Sequence, residues 1–530
     1  MWFQHHRHDI HRVFLASFSG ILLSLSFPKT GVDFFSWFAL VPFLYVLRDG
    51  TKKENIISGL SFGIAHFLTL LYWVIYTLNI YGYIPMLLCI PILMLLVLYL
   101  SCYPIFFAWF IGRAIHKPLY LIIVAPSLWV CLEYVRAYAF TGFPWELLGY
   151  SQHRMLQFIQ IADITGVYGV SFLLVLVNTA ILTLALFFSK KNWHEEAVTG
   201  KTALTHGTLA ILCVILVWAY GSYRIHETDR KTAQASTSTV SVIQGNIDQS
   251  LKWSTANQND TVLKYRNLSV LAAQAKPDLI IWPETAAPFY YENDHILTYR
   301  VKETLQACGT EFLIGFPSYE KDMNRFKFFN SAYVLNTKGD IEGSYSKVHL
   351  VPFGEYVPFQ DYLPFIHKLT EQSGDFYPGE KGATLDFNKG KIGVQICFEV
   401  VFPGLSRAMV KNGAQLIVNI TNDAWFGKSS APFQHFSMVK FRAVENKRAI
   451  ARAANTGISG FIDPCGRVLS STELYVDSYL TQKLPLARTL TFYTRYGDVF
   501  VFLCAILLIF AILPLVRKKN RETFHVRRSK

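Results

Sequence analysis

Charge is what this sequence most lacks. Of its 530 residues only 16% are Asp, Glu, Lys or Arg while 52% are hydrophobic, against about 25% charged residues in a soluble globular domain. That balance excludes an ordinary soluble enzyme and points to membrane spans. Metal-site spacing is missing too. Eight cysteines are present, but no C-x-x-C and no Cys/His spacing suggests zinc, so neither a metal nor a cofactor is expected. Cys89, Cys102, Cys131, Cys213 and Cys504 lie in or beside apolar runs, where a thiol serves as a small apolar side chain. Cys308, Cys397 and Cys465 fall in a region of mixed composition. A Cys308–Cys465 bridge is compatible with an oxidising compartment, and two free buried thiols are the preferred reading. His5, His6, His8 and His11 offer a metal cluster, for which a protonatable tail is the preferred alternative. No internal repeat is visible. The basic start followed by Phe14 to Phe27 resembles a signal peptide, but no clear small-x-small cleavage site follows, so an uncleaved first span is expected.

Apolar runs are abundant where charge is scarce. Crossing a bilayer takes about 20 residues, and seven spans are expected near 12–27, 33–48, 56–78, 84–111, 118–138, 161–188 and 203–222, with an eighth near 496–516. The first two are short and separated by Pro28-Lys29-Thr30-Gly31, so a re-entrant hairpin is the alternative there. Basic residues mark alternate connections: Arg7 and Arg12, then Arg48, Lys52 and Lys53, then Arg113 and Lys117, then Lys190, Lys191 and Lys201, then the tail from Arg517 to Lys530. Basic residues near span ends stay cytoplasmic, which places both termini inside and residues 224–494 outside, in the periplasm of a bacterium. The formal charge of +13 is absorbed by this pattern without a nucleic-acid partner. The expected division is a membrane domain over 1–223, a tether over 224–235, an extramembrane domain over 236–486, and a last span with a basic tail over 487–530.

Within 236–486 short β-branched runs alternate with helical stretches, the pattern of an α/β layer domain. Strands are expected over 239–244, 278–282, 311–315, 330–336, 391–396 and 415–421, and helices over 258–275, 295–308, 403–412 and 433–449. Three segments place reactive groups where strands end, which is where α/β sheets put their chemistry. In Leu279-Ile280-Ile281-Trp282-Pro283-Glu284 a carboxylate stands on an apolar stalk, suited to a general base, although a solvated loop Glu is the bland reading. In Tyr345 to Glu355, Lys347 sits among apolar residues and prolines and is suited to meeting an anion, with a snorkelling surface lysine as the alternative. In Lys391 to Glu399 an apolar strand delivers Cys397 into a turn before Pro403, the setting of a nucleophile, with a buried structural thiol as the alternative.

Taken together, Glu284, Lys347 and Cys397 in that order resemble the nitrilase, or carbon-nitrogen hydrolase, superfamily. With the flanking spans, the whole chain looks like the bacterial apolipoprotein N-acyltransferases. Further echoes are Thr141-Gly142-Phe143-Pro144-Trp145, Gln244-Gly245-Asn246, Pro352-Phe353-Gly354-Glu355 and Asn422-Asp423-Ala424-Trp425-Phe426-Gly427. The resemblance implies a multi-span α-helical membrane domain plus an α-β-β-α sandwich, seated in a bacterial inner membrane. It implies ping-pong transfer of an acyl chain from a membrane phospholipid, through a Cys397 thioester, to the α-amine of an S-diacylglyceryl cysteine on an apolipoprotein. Glu284 would be the base and Lys347 the oxyanion partner, with a backbone N–H near Phe398. Glu355 is expected to orient Lys347, and Glu399 a substrate. Many members carry Tyr after the nucleophile where this chain has Phe398, which removes any hydroxyl-dependent role there. Trp145, Trp253, Phe353, Tyr356, Phe359, Phe365 and Trp425 are expected to meet substrate or form lids at the membrane interface, with core packing as the alternative for each ring. The competing readings are a membrane-tethered amidase of the same superfamily and a non-catalytic lipoprotein-binding protein.

Overall fold

The computed structural model describes residues 2–250, 252–322, 325–357 and 376–511. Phe359 and Phe365 of the expected lid lie outside the described residues. The chain forms two compact units, one of residues 1–75, 86–222 and 498–530, the other of 76–85 and 223–497.

The first unit is helical. Five described helices are long and apolar enough to cross a membrane, Lys52–Leu71, Met86–Ala114, Pro118–Tyr138, Val167–Phe188 and Gly200–Ala233, preceded by a helix over Trp2–Ser24. Local signals fix their ends. Thr51 caps Lys52–Leu71 with its hydroxyl on the Glu54 N–H while the Glu54 carboxylate accepts from the Thr51 N–H at 2.6 Å, a reciprocal pair that satisfies two orphan donors. The stretch expected as a second span differs. It is a 3-10 turn over Asp33–Trp37 and a six-residue helix over Val41–Val46 with proline in its first turn. The broken backbone between them needs partners that a continuous helix would supply internally, and Asn178 provides them, accepting from the Leu40 N–H and donating to the Ser36 carbonyl, each at 2.9 Å. The last apolar helix is short within the described residues, Val499–Ala511. The tether expected over 224–235 is mostly helix, because Gly200–Ala233 is one continuous helix, and the next strand opens at Thr237.

The second unit is an α/β sandwich of two six-stranded sheets. In chain order its strands are β1 Thr237–Gln244, β2 Leu279–Ile281, β3 Glu311–Asp322, β4 Arg325–Leu335, β5 Ile341–Ser346, β6 Leu385–Phe387, β7 Gly390–Ile396, β8 Leu416–Thr421, β9 Ala449–Ala454, β10 Gly460–Ile462, β11 Val468–Ser471 and β12 Ser478–Pro485. The sheet orders are β12-β1-β2-β3-β4-β5 and β11-β10-β9-β8-β7-β6. Each has a parallel trio at its centre, β1-β2-β3 and β7-β8-β9, with antiparallel strands outside. Parallel strands are covered on both faces and read as continuous apolar runs, as Leu279-Ile280-Ile281 and Leu416 to Thr421 do, every one of these residues being buried. Helices Thr255–Ala273 and His295–Cys308 cross over within the first trio, and Pro403–Lys411 and Ala431–Asn446 within the second. Trp282 shows how tightly the first layer closes. Its ring stacks on Tyr265 at 4.9 Å and its N–H donates to Ser269 at 2.8 Å, satisfying the one polar atom of a fully buried indole.

One helix boundary shifts. The helix expected to reach residue 449 ends at Asn446, with Lys447 in the left-handed region, and β9 begins at Ala449. All eight cysteines are free thiols, with Cys465 buried and Cys308 half-buried.

The turn after β2 packs closely against β3. A Cβ on Gly315 of β3 would stand 2.5 Å from the Pro283 carbonyl oxygen and the Thr285 nitrogen, and 2.9 Å from the Glu284 Cα. These are backbone atoms that cannot swing aside. Gly315→Ala is therefore expected to cost roughly 1–3 kcal/mol through overpacking and to displace Glu284. Thermal unfolding together with acyl-transfer activity checks this, and unchanged activity in Gly315→Ala would contradict the fit.

Candidate active site

Three strand ends deliver the expected trio. Glu284 follows β2, Lys347 follows β5 and Cys397 follows β7, and all three side chains are buried. The Lys347 ammonium lies 3.6 Å from Glu284 Oε1 and 2.9 Å from Glu355 Oε1. Asn330 of β4 bridges the same two carboxylates, its amide donating at 2.8 and 3.0 Å. The other oxygens are held by main chain, Glu284 Oε2 by the Asn422 N–H at 2.9 Å and Glu355 Oε2 by the Val351 N–H at 2.8 Å. Burial works against the charge of Lys347, but Glu355 and then Glu284 outweigh it and hold its proton well above the usual lysine range. Lys347 is thus a fixed cation and not a proton donor. Glu355, expected from sequence to orient that lysine, is the partner at the shorter distance.

Cys397 begins a 3-10 turn, Cys397–Val401, with a φ of 54°. That left-handed geometry is strained for a residue with a side chain and persists only where the surroundings fix it. Glu399 and His435 do so. Both Glu399 oxygens are taken: Oε1 accepts from Tyr345 Oη and the Val348 and His349 N–H groups at 2.9, 2.6 and 3.1 Å, and Oε2 from the Ile396 N–H at 2.7 Å. Burial pushes its carboxyl up to about 7, opposed by those N–H donors and by Lys347. Every partner is a donor, a set that a carboxylate satisfies and a carboxylic acid does not. Glu399 therefore ties the lysine loop to the cysteine turn, and no oxygen is left to orient a substrate, contrary to the sequence expectation.

His435 Nε2 donates to the Cys397 carbonyl at 3.2 Å, while its Nδ1 faces Asp423 Oδ1 at 3.0 Å and Arg452 Nη2 at 3.1 Å. Burial and then Arg452 lower the His435 pKa, opposed by Asp423. Burial also opposes the charge of Asp423, but Arg452 at 2.7 Å outweighs it and keeps the carboxyl well below the usual range. The thiol itself is pushed up to about 12 by burial and then by the Glu284 charge, partly offset by Lys347. At neutral pH Cys397 rests as a thiol, and it needs a base at the moment of attack.

The aromatic candidates divide. Phe398 packs edge-on against Phe402 at 5.1 Å, with His349 nearby at 6.0 Å. Phe353 and Trp253 are exposed, and Tyr356 is half-buried in the turn that carries Glu355. Trp425 is held, its carbonyl accepting from Thr77 Oγ1 at 2.8 Å and its ring lying 5.0 Å from Tyr81. Trp145 is buried in the first unit against Trp73, at 5.0 Å. Sequence reasoning missed Asn330, His435 and Arg452, polar residues inside buried elements that no local pattern marks. It missed Lys252 as well, whose buried ammonium donates to the Glu284 carbonyl at 3.1 Å.

Residues 19–180 match the family described as apolipoprotein N-acyltransferase N-terminal domain, and residues 239–491 match carbon-nitrogen hydrolase. Among curated relatives, an apolipoprotein N-acyltransferase of Geobacter metallireducens is 43% identical over 92% of this chain and 92% of its own length. Those of Chlorobaculum tepidum and Rickettsia bellii are 30% and 33% identical, covering 96% and 89% of this chain and 97% and 91% of their own. An amidase structure from Nesterenkonia sp. is 18% identical, covers 50% of this chain and 95% of that one, and has a TM-score of 0.38, too distant to bear on the reaction. With both halves matched and full-length relatives above 30% identity, this chain belongs to the apolipoprotein N-acyltransferase family.

Proposed function

We propose that this membrane enzyme works by a ping-pong cycle through an acyl thioester on Cys397, taking the acyl chain from a membrane phospholipid and giving it to the α-amine of an N-terminal S-diacylglyceryl cysteine. The observation that carries this reading is a buried thiol set at a strand end beside one carboxylate and one fixed ammonium. Glu284 takes the thiol proton as sulfur attacks the ester carbonyl. The developing oxyanion is met by the Lys347 ammonium and the Phe398 N–H, donors in place before the charge appears. Collapse releases a lysophospholipid that leaves with the proton from Glu284. In the second half the acceptor amine attacks the thioester and Glu284 takes its proton; the C–S bond breaks, the Cys397 sulfur leaves and takes that proton back from Glu284, and an amide forms.

The burial of the site suits a stored thioester, because excluded water cannot hydrolyse it. Asn330 and Glu355 share Glu284 and Lys347 between them, so the Glu284–Lys347 contact is the longer ion pair at 3.6 Å and the Lys347–Glu355 contact the shorter at 2.9 Å. The exposed rings of Phe353 and Trp253 are suited to apolar substrate or to the membrane interface, where aromatic side chains settle. We place the catalytic half in the periplasm, both termini in the cytoplasm, and the domain limits near 223, 236 and 486, from the alternation of basic connections.

Intact-protein mass spectrometry after incubation with phospholipid vesicles tests the cycle. The unaltered chain should gain one acyl mass, Cys397→Ala should gain none, and a diacylglyceryl-cysteine peptide should discharge the adduct while gaining the same mass. Hydrolysis of a small amide with no acyl adduct would instead favour an amidase. Glu399→Gln replaces an acceptor by a group with N–H donors facing N–H donors. It is expected to destabilise the second unit by roughly 3 kcal/mol, as when one side of a buried charge network is removed, and to slow adduct formation. Wild-type unfolding and acylation in that variant would refute the clamp.

A further inference from the structure

Lys252 is the charge that the trio leaves over. It lies in the loop after β1, its side chain is 2% exposed, and its ammonium donates to the Glu284 carbonyl at 3.1 Å. An ammonium has three donors, and among the described residues no second acceptor meets this one. A buried cation short of acceptors is costly unless negative charge lies nearby. Burial brings Lys252 down to about 8, opposed by Glu284 on the turn after β2, which supplies that charge, and by any charge that develops on Cys397 at the end of β7. Around these stand Lys347 and Glu355, paired with each other at 2.9 Å, and Asp248 on the same loop, whose carbonyl takes the Lys252 N–H.

The charge balance gives this lysine a purpose. With Glu284 and Glu355 as carboxylates and Lys347 as the only cation, the cluster would carry an excess negative charge. That excess would push the Cys397 thiol still further from ionisation. A second ammonium removes it. The turn at Glu284 adds a geometric need, since Thr285 stands at a φ of 48° and the carbonyl before it is the one Lys252 holds.

We propose that Lys252 is a second cationic group of this active site, which positions Glu284 through its main-chain oxygen and neutralises the negative charge that passes from Glu284 to the Cys397 sulfur. This rests on the acyl-enzyme reading given above. In the step concerned the S–H proton moves to the Glu284 carboxylate, a sulfur electron pair forms the C–S bond, and the ester C–O pair leaves with the lysophospholipid oxygen, which takes that proton. Lys252 keeps its three protons throughout, and nothing is oxidised or reduced. The neighbouring Gln249 side chain accepts from Asn422 Nδ2 at 2.5 Å, so the Lys252 loop is also tied to the residue whose N–H holds Glu284 Oε2.

The test is the rate of acyl-adduct formation from phosphatidylethanolamine–phosphatidylglycerol vesicles, followed by intact mass between pH 6 and 10, for the full-length protein, Lys252→Met and Lys252→Arg, with thermal unfolding alongside. The unaltered protein should lose rate as pH rises through about 8, where the ammonium gives up its proton. Lys252→Arg should carry the rate to higher pH, because a guanidinium stays charged. Lys252→Met should be slower at pH 7 by roughly tenfold or more, about one unit in thiol ionisation, and should show no loss near pH 8. Equal rates and profiles for the unaltered protein and Lys252→Met would overturn the inference while leaving the acyl-enzyme standing. If Lys252→Met does not fold, an unshifted profile in Lys252→Arg overturns it instead. Absence of any adduct on the unaltered protein would defeat the acyl-enzyme reading and this inference with it.

Discussion

Everything at this site depends on keeping ionised groups in a place that water does not reach. Glu284 and Lys347 are both buried, and an isolated charge so placed would neutralise itself. The structure answers with a lattice of partners: Glu355 against Lys347, Asn330 across both carboxylates, and main-chain N–H groups on each remaining oxygen. The consequence is positional. Glu284, Lys347 and Cys397 follow strand ends in the two sheets, so carboxylate, cation and thiol keep their spacing only if both sheets keep theirs.

The two sheets are joined by the same logic. Tyr345 and the Val348 and His349 N–H groups belong to the end of β5 in one sheet, whereas Ile396 and Glu399 belong to the end of β7 in the other, and the Glu399 carboxylate binds them all. On the far side of Cys397, His435 reaches its carbonyl from the helix Ala431–Asn446, and is itself held by Arg452 of β9. A left-handed cysteine is unfavourable. Here it is clamped from two directions, which orients its sulfur independently of substrate.

Much of this could be read from the sequence, and the parts that could not have a common cause. Glu284 and Cys397 were visible because each follows a run of apolar strand residues, and Lys347 because a stretch rich in apolar residues and proline, Val348 to Pro352, follows it, so a reactive group stands out against its neighbours. The helix His295–Cys308 was placed to the residue, with Asp294 as its cap and Gly309 closing it in the left-handed region. β9 was missed because Ala449 to Ala454 is rich in alanine, a weak strand former, and as a buried central strand it lacks the alternation that marks a half-exposed one. Arg452 within it looks like an ordinary basic residue. Its role appears only when β8 and β9 lie side by side and Asn419 and Asp423 meet its guanidinium. Lys252 was hidden for the same reason, since nothing in the local sequence says that a loop lysine turns inward.

The second unit is not continuous in sequence, and this bears on how the site is held. Residues 76–85 group with it although apolar helices precede and follow them. Within that segment the chain forms a π turn over Thr77–Tyr81, a geometry that widens the helix and exposes backbone and side chains to other partners. Those partners are on the loop after β8. Thr77 binds the Trp425 carbonyl, Tyr81 meets the Trp425 ring, and Tyr76 lies against Gly427, where a Cβ would stand 2.6 Å from the phenol ring. Gly427 has a φ of 59°, so both its conformation and its lack of a side chain are used. The loop it closes begins at Asn422, whose N–H holds Glu284 Oε2. A segment drawn from between two apolar helices thus braces the loop whose N–H holds Glu284, and Trp425, expected from sequence to meet substrate or form a lid, is the anchor point of that brace.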